Sequence, residues 1–67
     1  MIGKAIIKTV SAEYTYSAND YYSIYERMMI ITDNDHEISS DSASWCELAG
    51  IGETYDFREG YIEIVSR

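Results

Sequence analysis

Apolar residues recur at every second position in the later part of "KAIIKTVSAEYTY", Lys4 to Tyr16, a stretch rich in β-branched and aromatic residues with no helix cap before it. The pattern predicts a strand whose even positions Ile6, Val10, Ala12, Tyr14 and Tyr16 share one face. "SAND", Ser17 to Asp20, reads as a turn. The next segment, "YYSIYERMMIIT" from Tyr21 to Thr32, fits two patterns. Tyr21, Ile24, Tyr25 and Met28 have helical spacing, and Asn19 or Asp20 can cap a helix there. Seven of its twelve residues are Tyr, Ile or Thr, and "MMII" suits a strand buried on both faces, so a strand is favoured over a helix.

"DNDH", Asp33 to His36, reads as a polar turn. Ser40 or Asp41 then caps a helix running to about Ala49, with Trp45, Leu48 and Ala49 on one face and Trp45 as its main core residue. Gly50 is its stop in the left-handed conformation, and Gly52 loosens the exit. The last segment predicts a hairpin, with Thr54 to Phe57 and Tyr61 to Val65 flanking "REG" and Gly60 left-handed in a three-residue loop. The expectation is a single α+β domain over residues 1–67. It is a small antiparallel sheet of three to four strands with one short helix at about residues 41–49.

Sixty-seven residues leave room for one small core, since a chain this short buries only roughly 60% of its unfolded surface. The 46% hydrophobic content and the absence of proline indicate a folded chain. Seven tyrosines against one phenylalanine suit a thin core whose covering side chains keep their hydroxyls in water. The single cysteine, Cys46, forbids an intrachain disulfide, and so small a domain without one points to a reducing cytoplasm. The start at Met1 is too broken by polar residues for a signal peptide, and no apolar run reaches the ~20 residues of a membrane span. A cytoplasmic protein beginning at its natural methionine is expected.

Charge changes the picture most. Twelve acids against five bases give −7. Lys4 and Lys8 stand in the first twelve residues, while residues 13–67 carry every acid against Arg27, Arg58 and Arg67 alone. Direct binding to nucleic acid or to a membrane is disfavoured, and a basic partner is favoured.

Candidate chemistry is thin. Gly50 and Gly52 follow a helix where a phosphate loop precedes one, and Glu53 beside them repels phosphate. Asp33, Asp35 and Glu37 have the alternate spacing of a calcium loop, but Ile38 and Ser44 stand where that loop needs Gly and Glu. Cys46 and His36 are the only thiol and imidazole; two such residues fall short of a zinc set, and Glu47 beside Cys46 raises a thiol pKa. Cys46 reads as a half-buried structural residue. No catalytic residue, metal or cofactor is expected.

The acids themselves are the candidate site. Asp33, Asp35, Glu37, Glu53, Asp56, Glu59 and Glu63, with Tyr55 and Tyr61 interleaved, present negative charge and apolar area to a basic groove, Asp56 and Glu63 on the two arms of the last hairpin. Lys4, Lys8 and Arg27 are expected on a separate face. In size and charge the chain resembles the small inhibitors encoded by phages and mobile elements, anti-CRISPR proteins and other DNA mimics among them. That resemblance implies a non-enzymatic inhibitor in the host cytoplasm. It would bind the basic nucleic-acid-binding surface of a CRISPR effector or nuclease. The alternative is a small structural or accessory module, a homodimer joined through a strand edge and a tyrosine-rich surface.

Overall fold

The computed structural model describes residues 4–9, 13–17 and 20–66, with the backbone alone for 13–17. The alternating stretch at the start forms two strands, not one. β1 (Lys4–Thr9) and β2 (Glu13–Ser17) pair antiparallel, from Lys4 opposite Ser17 to Lys8 opposite Glu13. One strand over the same thirteen residues would run roughly 44 Å at about 3.4 Å per residue, while the longest extent of the fold is 27 Å. The inward face is also the other one: Ala5 and Ile7 are buried and Ile6 only half-buried. Val10 and Ala12, and the side chains of Tyr14 and Tyr16, lie outside the described residues.

Residues 21–31 form a helix, α1 (Tyr21–Ile31), against the expected strand. The Asp20 carboxylate accepts from the Ser23 N–H at 2.9 Å and closes the first turn. The apolar positions then follow the helical period: Ile24 and Met28 are buried, and Tyr21, Tyr25 and Ile31 pack against the core. Ile30, which a doubly buried strand would enclose, is 74% exposed. Burial along one helical stripe has overridden the β preference of the individual residues.

Among the described residues there are thus two helices. α2 (His36–Leu48) starts five residues before the expected Asp41, because Asp35 accepts from the Ile38 N–H at 3.0 Å and wins the cap. Ser39 and Ser42 lie inside the helix, fully buried, their hydroxyls donating to the carbonyls of Asp35 at 2.7 Å and Ser39 at 3.1 Å. Small and satisfied, they let α2 pack closely. Cys46 is fully buried, not half-buried, and Leu48 is 88% exposed, so it leaves the face assigned to it. Trp45 is half-buried against the core, while Ala43, Cys46 and Ala49 are the enclosed apolar residues of this segment.

The turn between the helices is Thr32 to Asp35. The Asn34 N–H donates to the Met29 carbonyl at 2.8 Å, the six-to-one bond that closes many helices. Asp33 and Asn34 are both left-handed, at φ 56° and 69°. Glycine suits the first of these best. Asp33→Gly is expected to stabilise the fold by a few tenths up to about 1 kcal/mol, and Asp33→Ala to destabilise it. Urea unfolding midpoints of the two variants check this.

At the other end, Ala49 caps α2 in an extended conformation, and Gly52, at φ 91°, takes the left-handed position expected of Gly50. The Glu53 N–H reaches the Gly50 carbonyl at 3.1 Å, so Gly50 to Glu53 is a β-turn with glycine third, as type II requires. β3 (Thr54–Phe57) and β4 (Gly60–Ser66) then form the expected hairpin, with a two-residue turn, Arg58–Glu59, in place of a three-residue loop. Gly60 is not left-handed. A Cβ there would fall on the Lys8 carbonyl oxygen and 2.8 Å from Thr9 Cα, so close approach of β1 is what demands glycine.

Among the described residues the sheet has four antiparallel strands in the order β2-β1-β4-β3. Ala5 and Ile7 of β1 stand opposite Ile64 and Ile62 of β4. These four, with Ile24, Met28, Ala43, Cys46 and Ala49, form one core between the sheet and the helices. The α+β class holds, with a second helix added.

Candidate functional site

The expected acidic array is divided by the sheet. Successive strand residues point to opposite faces. Ile62 and Ile64 face the helices, so Tyr61 and Glu63 face away from them, as does Asp56, paired with Tyr61. Lys8, opposite Tyr61 on β1, stands on this same open face with its ammonium 5.7 Å from the centre of the Tyr61 ring, within cation–π range. Lys4 is exposed at the start of β1, where the register with β4 shifts. Lys8 therefore does not stand on a separate face from the acids: it shares this one with Asp56 and Glu63. Beside them a shallow open cleft of about 280 Å³ lies between Lys8, Phe57, Arg58 and Tyr61.

Tyr55 points the other way. It is half-buried against Trp45, ring centres 5.6 Å apart and tilted by 51°. Glu53 sits in the turn before β3, its carboxylate accepting from the Gly50 N–H. Glu59 belongs to the Arg58–Glu59 turn. Asp33, Asp35 and Glu37 lie where the helices meet, all exposed, and Asp35 is engaged as a cap. Among the described residues no group of three or more His, Cys, Asp or Glu side chains could hold a metal ion.

The imbalance of charge lies on the helical side. Residues 20–48 carry Asp20, Glu26, Asp33, Asp35, Glu37, Asp41 and Glu47 against the single cation Arg27. Glu26, Asp41 and Glu47, absent from the expected site, are all exposed on the helices. Their signal was the helical period: Glu37 and Asp41 are one turn apart on the outer stripe of α2. Tyrosines accompany the acids. Tyr21 and Tyr25 stack with ring centres 6.1 Å apart, the Tyr25 hydroxyl is hydrogen-bonded to His36 Nδ1 at 2.6 Å, and the Tyr21 hydroxyl to Ser40 Oγ at 2.9 Å. These bonds join α1 to α2 and hold the rings in place.

Burial pushes the Tyr55 phenol above its ordinary value of 10.0, and the charges of Asp41 and Asp35 push it further. A phenol with a raised folded pKa contributes stability that is complete below pH 10.0 and lost as pH rises through the folded value. The expected result is alkaline loss of stability that Tyr55→Phe reduces, and a Tyr55 titration that Asp41→Asn moves down towards 10.0. Tyrosinate absorbance followed against pH in the three proteins checks both.

No family model matches the chain, and no curated protein or solved structure is significantly similar to it. Among the described residues no helix is long and apolar enough to cross a membrane.

Proposed function

We propose that this protein is a non-enzymatic inhibitor that uses its acidic helical side to occupy a basic surface on another protein. The single observation that carries the reading is the seven-to-one excess of acids over bases in residues 20–48, with fixed tyrosines alongside. Carboxylates on a rigid layer present negative charge to the lysines and arginines that hold phosphates, and the tyrosines add contact area. A nucleic-acid-binding groove of a nuclease or CRISPR effector has the matching chemistry. The size and charge shared with anti-CRISPR proteins and other DNA mimics make such an effector the first partner to test.

The experiment is a tagged pull-down from bacterial lysate at low and high salt, read by mass spectrometry. Capture of one nuclease or effector at low salt, lost on adding DNA, is expected. The charge-reversed variant Glu26→Lys, Asp41→Lys, Glu47→Lys should abolish it while circular dichroism stays unchanged. Asp20 and Asp35 are left in place because they cap the helices. Undiminished capture by the reversed variant would refute the reading.

A further inference from the structure

The Ile64 N–H donates to the Glu53 carbonyl at 3.2 Å. Two residues on, Tyr55 stands opposite Ile62, and two further, Phe57 opposite Gly60. Bonded and non-bonded pairs alternate in an antiparallel ladder. Glu53, Tyr55 and Phe57 therefore turn their backbone groups towards β4, and Thr54 and Asp56 turn theirs outward. β3 is an edge strand, and both residues are exposed. The N–H and C=O groups of Thr54 and Asp56 form a short row open to another strand.

The flanks of that row decide which strand fits. On the helix side is the aromatic shelf of Tyr55 and Trp45. On the open side is the Asp56 carboxylate, with Glu53 and Glu59 at the two ends of β3. A second copy of this chain fits badly, because the centred antiparallel pairing of two β3 edges offers Asp56 only a threonine opposite and brings the two Asp56 carboxylates to diagonal positions on one face. A strand of alternating character fits well. Its apolar residues would cover Tyr55 and Trp45, and its basic residues would stand beside Asp56.

We propose that the free edge of β3 takes up an extended segment of the partner, alternating basic and apolar residues, as a fifth strand of the sheet. The inference rests on the acidic-surface reading for the partner's charge and adds how it is held: main-chain bonds supply the grip and alternate side chains the selectivity.

The test uses the whole protein and a short synthetic peptide alternating arginine with valine, titrated while the fluorescence of Trp45, the only tryptophan, is followed. A saturable change is expected, with none for a peptide alternating glutamate with valine. Two further peptides carry N-methyl groups on all the arginines or on all the valines, removing the N–H groups of one edge at a time. One of the two should bind at least tenfold more weakly than the parent, as losing a buried bond or two implies, and the other should bind as the parent does. Thr54→Pro removes an edge N–H without changing charge and should weaken the parent peptide in the same way. No saturable binding of the arginine peptide, or equal binding of both methylated forms, overturns the proposal. So does a salt-resistant dimer in sedimentation that Thr54→Pro dissolves, since the edge is then taken by a second copy. Equal binding of the methylated forms would still leave the acidic-surface reading standing, because that reading fails only if charge reversal on the helices leaves capture intact.

Discussion

Gly60→Ala is expected to unfold the protein. The added Cβ falls on the Lys8 carbonyl oxygen and 2.7 Å from the carbonyl carbon, and both are backbone atoms. A side chain could rotate away; a strand cannot. β1 and β4 would have to part at the centre of the sheet, where Ile7 faces Ile62 and Ala5 faces Ile64. A domain of this length has a net stability of roughly 3–10 kcal/mol. Overpacking costs about 1–3 kcal/mol where side chains can adjust and more where they cannot, so the whole margin is at stake. Loss of the folded circular dichroism signal at room temperature is the expected readout. Gly50→Ala is the control: its Cβ meets only Glu53 Oε1 at 3.5 Å, an ordinary contact, and the fold should survive.

Met28→Ala is the second large effect. Met28 is fully enclosed by the core, and truncating a buried methionine costs about 2–5 kcal/mol. Ile30→Ala, two residues away, should cost well under 1 kcal/mol, because Ile30 is mostly in solvent. The contrast also tests the helix itself. In a strand, residues 28 and 30 would share a face and their truncations would cost alike; in α1 they do not. Urea unfolding of the two variants decides it.

Those two residues mark the boundary of what could be read from the chain. The hairpin was legible because Thr54–Phe57 and the strand after Gly60 alternate cleanly between turn residues, and the region of α2 was legible through Trp45 and the glycines after it. α1 was not, because tyrosine and isoleucine favour strands locally and one capping bond from Asp20 plus a buried stripe reversed that preference. The start of α2 was missed for a related reason. Ser39, Ser40 and Asp41 all have the chemistry of caps, but two of the serines in this helix serve as small core residues instead. Gly60 was recognised as special for the wrong cause, since contact with β1 is a long-range event with no local signature. The acids misled through their closeness in sequence. Tyr55 and Asp56 are neighbours in the chain, yet the pleat of β3 sends one to the helices and the other to the opposite face.

The unequal charge of the two layers makes the molecule an electric dipole directed across its sheet. In the field of a cationic surface such a body turns before it touches, helices first, and fewer collisions arrive in an unproductive pose. Its encounter rate should therefore exceed that of an equally acidic protein with its charge spread evenly, and should fall steeply as salt is added.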